Sequence, residues 1–532
     1  MAKSPLSTRA LALGTALSIF VAAYSAYAGL KIGGVYWPIV TTSLISLIVL
    51  TILGKSDRNE INIMQTAGSS GGLLAGGIIF TIPAAYMLGI RISYLEILII
   101  SLVGGILGII FSYPLRKQLI EREQLPCADG AAAAALIETG DKSGKKAHSL
   151  LYALGLGATV SIARDWLRVI PGVINLESLQ IAASKVYSLG ASVSLIPLAG
   201  GYLIGLRFTA AWFLGAIFTY FMLMPYALWN FIYGTKAAVI AEIARPLGVG
   251  IVLGSAIIYF LVKGVPAASR MADDWNKAKA GRIAGITLIV CAGVLAMLLQ
   301  FDIALTVLAI VGAFAIAYIA ARSTGEMNVD PMEIFAMLVM IIAKIFLGSG
   351  ALPLILVAAV VTIAAGIAGD MMQDLKTGYL LGTKIEHQII AQIFGMVAAA
   401  AVIGGVLASL QATNGIGTIE FPAPQAMALK ELVSYSGISE MLKFGMAVGA
   451  VLTAVVLRLR PEFGMATIAF GIGMYVPIEL SFPLFIGGII RYFFDRTKRT
   501  EKGRLISAGV IAGEGTAGVL ISIAAFASMM LK

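Results

Sequence analysis

The chain has 532 residues, of which 59% are hydrophobic and only 12% charged, with a mean hydropathy of +0.94. Soluble domains run near half apolar and about a quarter charged, so most of this surface must face something other than water. Two cysteines, Cys127 and Cys291, exclude a disulfide scaffold, and His148 and His387 alone cannot build a multihistidine metal site. The net charge of +10 sits in short basic gaps between apolar runs, the pattern of cytoplasmic loops. No aromatic-plus-basic surface accompanies it, so no nucleic-acid partner is expected.

A bilayer core takes about 20 apolar residues per helix, roughly 17 to 25. That ruler places spans near 8–30, 36–54, 62–89, 92–115 and 149–171. Further spans fall near 190–206, 208–229, 244–264, 282–300, 303–321, 331–348 and 352–369. The last are 386–411, 441–458, 463–478, 481–495 and 505–530. The expected fold class is an all-α polytopic membrane protein with about 16 transmembrane helices. The first apolar stretch is too long for an ordinary signal-peptide core and reads as an uncleaved span.

With the basic N-terminus inside, the basic gaps 55–58, 116–122, 142–146, 270–282 and 496–504 all fall on the cytoplasmic side. This requires two segments to return to the side they leave. They are 122–140, with QLPCADGAAAAALIETG, and 419–437, IEFPAPQAMALKELVSYSG. Proline removes a backbone donor yet starts a helix well, so each predicts an extended approach followed by a half-helix, a re-entrant hairpin. Non-helical backbone at membrane depth is tolerated only where protein or a watery cavity satisfies it, so such a break points to a path.

The two segments belong to an internal repeat. Pro126 matches Pro422, with Ala134 and Lys430 equally distant. Downstream, WFLGAIFTYFM at 212–222 aligns without gaps with LFIGGIIRYFF at 484–494, pairing Gly215 with Gly487 and Tyr220 with Tyr492. Between them, Leu167-Arg168 and Leu457-Arg458 each end a span. The order predicts inverted repeats over 1–264 and 303–532, joined by 265–302 as a cytoplasmic loop and connecting helix. Inverted repeats with discontinuous helices at the midplane are the architecture of secondary transporters.

Ionisable residues inside spans are functional candidates by default. In GDMMQDLKTGYLLG at 369–382, Asp370 and Asp374 lie four apart on one helix face, where like charges repel and a carried proton relieves the repulsion. Gln373 lies beside them, and Lys376 could neutralise the pair instead; the bland alternative is a solvated cap. In the first hairpin, Asp129 reads as a ligand for a cation or proton, or as a simple helix cap. The second hairpin offers Gln425, Lys430 and Glu431. Gln65 opens the glycine-rich NIMQTAGSSGG. Lys344, Glu479, Arg491 and Glu514 are further charges in apolar surroundings that need partners in the bundle.

At these motifs the chain resembles a known family. NIMQTAGSSGG, the LPCADG segment, GDMMQDLKTG with its following LLG, FPAPQA, SFPLFIGGIIRY and SAGVIAGEGTAGVL resemble the oligopeptide transporter family, including its yellow-stripe-like branch, from the first span to the last. The resemblance implies a secondary active transporter, generally proton-coupled, of small peptides or of metal chelates of amino-acid-like ligands. It also implies a homodimer. Relatives often carry proline-x-proline-glutamate where Cys127, Ala128 and Asp129 stand here, which leaves the substrate class open.

Rival classes lack their signatures. No H-E-x-x-H helix surrounds either histidine, and no G-x-x-x-x-G-K-[ST] phosphate loop is present. Channels repeat a pore element around an axis, unlike one long chain with an inverted pair. The expectation is a non-enzymatic, proton-coupled symporter of peptides or peptide-like compounds, with metal chelates as the alternative, in the cell membrane and with no cofactor or bound metal. Asp370, Asp374 and Lys376 are expected to couple protons. Gln65, Asp129, Gln373, Gln425, Lys430 and Glu431 are expected along the substrate path, and Glu479 and Glu514 as buried charges.

Overall fold

The computed structural model describes residues 6–530 except 36–37, 55, 140–143, 176–186, 189, 231, 260, 263–280, 328–329, 331, 435–438 and 498. Most of the basic stretch 270–282, part of 142–146 and the ends of both hairpin segments therefore lie outside the described residues.

Apolar runs between glycine, proline and charge punctuation become helices. The first four are α1 (Thr8–Ile32), α2 (Ile39–Ile52), α3 (Arg58–Met87) and α4 (Tyr94–Arg122). Then come the short α5 (Ala128–Thr139) and α6 (Gly144–Ser161), continued by a wide turn at Ile162–Trp166. The chain makes a two-stranded antiparallel sheet, β1 (Val173–Asn175) with β2 (Gly190–Ser192), Val173 facing Ser192. Next are α7 (Leu195–Ile204), α8 (Leu206–Trp229), α9 (Lys236–Tyr259) and α10 (Gly281–Leu298). The remaining helices are α11 (Ile303–Met327), α12 (Met332–Leu347), α13 (Ala351–Leu381), α14 (Ile385–Asn414), α15 (Pro424–Ser434), α16 (Glu440–Leu459), α17 (Ala466–Tyr475), α18 (Ile478–Arg496) and α19 (Thr500–Met530).

Helix ends follow local chemistry. Ser7, Asp57 and Ser93 cap α1, α3 and α4 by accepting backbone N–H groups, and Ser93 with Glu96 forms a capping box. Gly33 and Gly382 stop α1 and α13 in the left-handed conformation. Among the described residues, ten helices are long and apolar enough to cross a membrane. Large apolar side chains on the periphery, such as Tyr152, Ile289, Met297, Ile303 and Phe346, stay exposed. A water-soluble surface rarely carries so many; the chain is a multi-pass, all-α integral membrane protein.

One span ends later than its hydropathy predicts. The apolar run stops near Gly369, yet α13 continues to Leu381. Its polar last third is not a solvated cap, because Asp370, Gln373, Asp374 and Thr377 are all fully buried. The ruler fails there because the partners are polar groups on other helices, not lipid.

The packing is reciprocal. α6 packs on α19 and α9 on α16; α7 packs on α18 and α8 on α17; α1 packs on α3 and α11 on α13. Close glycine contacts follow the same exchange. A Cβ on Gly215 would stand 2.0 Å from the Phe470 carbonyl, and one on Gly487 would stand 2.0 Å from the Leu198 carbonyl. Only glycine permits this approach of two backbones.

Candidate functional site

A buried polar cluster lies where α3, α13 and α14 meet. Asp374 accepts from Gln65 Nε2 at 2.5 Å and from Ser69 Oγ at 2.8 Å. One turn away, Asp370 Oδ2 accepts from Gln392 Nε2 at 3.3 Å. Gln388 Nε2 donates to the Asp374 carbonyl at 2.6 Å. Towards the helix ends, Asn62 Nδ2 donates to Thr383 Oγ1 at 3.1 Å, and Thr383 Oγ1 donates to Asn59 Oδ1 at 2.8 Å. A buried polar ladder thus runs inward from half-buried Asn59 to Asp370. In the other direction it stops: Gly77 lies against Ile363 and Gly366 near the Leu73 carbonyl, in a fully buried apolar layer with Leu74 and Ile367.

Both acids are paired with a glutamine that is one donor short. Asp370 Oδ1, Gln392 Oε1 and Gln65 Oε1 are buried with no hydrogen-bond partner among the described residues. An ionised carboxylate only accepts, whereas a protonated one also donates. A proton on Asp370 Oδ1, which accepts from no group among the described residues, therefore breaks no existing hydrogen bond. Unsatisfied buried polar atoms are rare and costly, and three of them lie in this acid–glutamine set.

Lys376 does not neutralise either acid. Its ammonium donates to the Leu125 carbonyl at 2.8 Å, on the approach to α5 in the first of the two segments expected to be hairpins. The hairpin is clamped to α13 at two further points. Gly130 N donates to Gln373 Oε1 at 2.8 Å, and Thr377 Oγ1 donates to the Gly130 carbonyl at 2.9 Å. Asp129 lies inside the first turn of α5, not at its cap, and is buried with Arg504 Nη1 at 3.7 Å.

In the second hairpin, Gln425 Nε2 donates to the Gly33 carbonyl, while its Oε1 is unpartnered among the described residues. Glu431 is buried and pairs with Arg245 Nη1 at 2.9 Å. The Lys344 ammonium donates to the Leu432 carbonyl near the end of α15, where a helix gathers unpaired carbonyls. Lys430 is half-buried and makes no ion pair among the described residues. Glu479 is half-buried in the first turn of α18, and Arg491 Nη1 donates to the Leu203 carbonyl at 2.6 Å.

The two hairpins share a backbone feature. Cys127 and Ala423, each directly after its proline, have φ of 40° and 42°, a region L-residues avoid. Cys127 N donates to the Gly325 carbonyl of α11 and Ala423 N to the Leu30 carbonyl of α1, both at 2.9 Å. Each break is thus stitched to the last turn of a long helix.

Glu514 belongs to a network that sequence reasoning missed. It is fully buried, accepting from Arg164 Nη1 at 2.6 Å, Ser194 Oγ at 2.6 Å and Leu195 N at 2.8 Å. Arg164 also holds Asp165 at 2.6 Å and Tyr27 Oη at 3.1 Å. Lys31 Nζ stands 3.9 Å from both Glu514 and Glu420, over the rings of Tyr27 and Phe421. The available signal was an Arg-Asp pair within an apolar run and a lysine at a span's end. Asn62, Ser69, Gln388 and Gln392 were missed too; their signal was polar residues three or four apart in otherwise apolar helices.

With that geometry in place, comparison with known proteins decides the family. The profile described as OPT oligopeptide transporter protein matches residues 5–525. The chain belongs to the oligopeptide transporter family. It is 27% identical to a "Putative oligopeptide transporter" of Haemophilus influenzae, over 94% of this chain and 93% of that protein. It is 25% identical to "Probable metal-nicotianamine transporter YSL11" of Oryza sativa subsp. japonica, over 28% of this chain and 24% of that protein. It is also 25% identical to a "Putative oligopeptide transporter" of Saccharomyces cerevisiae, over 40% of this chain and 32% of that protein. The family carries small-molecule substrates across membranes.

Proposed function

We propose that the chain is a proton-coupled symporter of small peptides or peptide-like compounds that works by alternating access in the cell membrane, its N-terminus cytoplasmic. The carrying observation is the pair of buried acids, Asp370 and Asp374, each bonded to a glutamine that lacks a donor. Their ladder leads towards the side of Arg9, which pairs with Glu60 at 2.8 Å, the cytoplasmic side in this orientation. An apolar layer separates it from the opposite side. A proton can therefore enter from one side only in this state, as alternating access requires.

In this reading each half contributes eight crossings and one re-entrant hairpin: α1–α4, α5 and α6–α9, then α11–α14, α15 and α16–α19. α10 crosses between them, and that odd crossing inverts the second half. The reciprocal helix pairs and glycine contacts support the inversion. So do the matched breaks at Cys127 and Ala423. Gln65, Gln373 and the hairpin residues Asp129, Gln425, Lys430 and Glu431 then flank the path between the halves. Lys376 acts by holding the first hairpin to α13. The active unit is a homodimer.

Metal chelates are the second reading, favoured by the rice relative named for metal-nicotianamine. The coupling is tested in proteoliposomes under an imposed pH gradient, with short peptides and nickel–nicotianamine as cargo. Asp374→Asn keeps the shape of the side chain but has no titratable proton. Gradient-driven uptake should fall to background while substrate exchange without a gradient persists. Uptake that still follows the gradient in Asp374→Asn rejects the assignment.

A further inference from the structure

We infer that the cavity beside the second hairpin is a subsite for a substrate carboxylate, with Arg245 as its cation. The inference rests on the transport reading and adds to it a ligand group and a residue. The cavity measures about 120 Å³ and lies between Pro422, Pro424 and Met427 of the hairpin, Arg245 of α9, Tyr220 of α8 and Pro477 ahead of α18.

Its wall is poor in donors for a simple reason: three of those residues are prolines, which have no N–H. The Tyr220 hydroxyl is already committed to the Val476 carbonyl at 3.2 Å, and the neighbouring Thr418 hydroxyl to the Gly415 carbonyl at 3.1 Å. Tyr475 also lines the cavity, and of the lining residues Arg245 alone carries a charge. Its guanidinium has five N–H donors, and the contact to Glu431 at 2.9 Å uses Nη1. Nε–H has no acceptor among the described residues. A planar fork with unspent donors suits a carboxylate, which it can hold through two parallel hydrogen bonds.

The ion pair with Glu431 sets the resting state. It keeps the guanidinium from being an unpaired charge near the membrane interior, where that is costly. It also fixes the fork in place, so little rotamer freedom is lost when a ligand binds. A carboxylate bound here would tie α9 of the first half to the hairpin of the second, the contact across which the halves must move. Peptides and chelates built on amino acids both carry such a group.

The test measures equilibrium binding of trialanine and of trialanine amide, which lacks the terminal carboxylate, to the purified full chain. Nickel–nicotianamine serves as a second probe. Wild type should bind trialanine at least tenfold more tightly than the amide. Arg245→Gln should erase that preference and leave the amide's affinity as it was, while Arg245→Lys should restore part of it. Glu431→Gln, which breaks the ion pair but keeps the arginine, should retain the preference. An equal loss for both peptides in Arg245→Gln overturns the subsite, as does loss of the preference in Glu431→Gln. Wild type that binds neither peptide nor chelate overturns it as well. A carboxylate preference without gradient-driven uptake would instead reject the coupling reading and leave the subsite standing.

Discussion

The two hairpins begin alike and end differently. Each starts with a proline, a left-handed residue and a hydrogen bond to the last turn of a long helix. The first is then sealed against α13 through Gln373, Lys376 and Thr377, and a Cβ on Gly130 would lie 2.2 Å from the Gln373 carbonyl. The second stands beside a cavity and is tied by Gln425 to Gly33, by Glu431 to Arg245 and by Lys344 to the Leu432 carbonyl. Equal local chemistry thus meets unequal surroundings: the first break lies against α13, and the second has a cavity beside it. The contrast is open to attack by substitution.

The largest effect is expected at the base of the second hairpin. Arg164 is buried among Glu514, Asp165 and Tyr27, and the network holds Lys31 beneath Phe421. Removing one partner of a buried ion pair leaves uncompensated charge and costs about 3–5 kcal/mol. Arg164→Ala should therefore lower the thermal unfolding temperature of the purified protein by many degrees. Glu514→Gln, which keeps much of the hydrogen bonding, should fall short of that. If Arg164→Ala melts with wild type, the network is not what anchors this side.

The sealed hairpin should respond next. Gly130→Val inserts carbon where the Gln373 backbone already lies, and overpacking a tight site costs about 1–3 kcal/mol. Ala131→Val, one residue on and only half-buried, should cost less. The informative readout is protease access to the first hairpin segment: Gly130→Val should expose it while the second hairpin is unchanged. Equal protection of the first hairpin in the variant and wild type would mean that it is not seated on α13 as described.

How far the sequence foretold this contrast depends on what kind of signal each part carries. Apolar length and proline placement are local, so the helices, both breaks and the polar stretch around Asp370 and Asp374 could be read directly. Residue pairings are not local. Nothing in the spacing says that Lys376 caps Leu125 rather than an aspartate, that Arg504 reaches Asp129, or that Arg245 reaches Glu431. The hydropathy ruler misplaced the end of α13 because it counts polar residues as water-seeking even when Gln65, Gln388 and Gln392 await them. The Arg164 network was hidden for the opposite reason: a short charged pair was averaged away inside a long apolar window.

The smallest effect tests the shared start of the hairpins. A non-glycine residue in the left-handed region costs about 1–2 kcal/mol, while glycine adds unfolded-state freedom worth about 0.4–1 kcal/mol. Ala423→Gly loses only one methyl from a buried site, so the two terms nearly offset and stability should change by less than about 1 kcal/mol. Cys127→Gly relieves the same strain but also removes a buried thiol that lies near Gly325. It should be the less stable of the two, by roughly the transfer cost of one or two buried groups, about 1–2 kcal/mol. Thermal unfolding of the pair measures this directly. A large loss from Ala423→Gly would mean that the left-handed turn is not where its strain lies, and that the two breaks are alike in sequence but not in backbone.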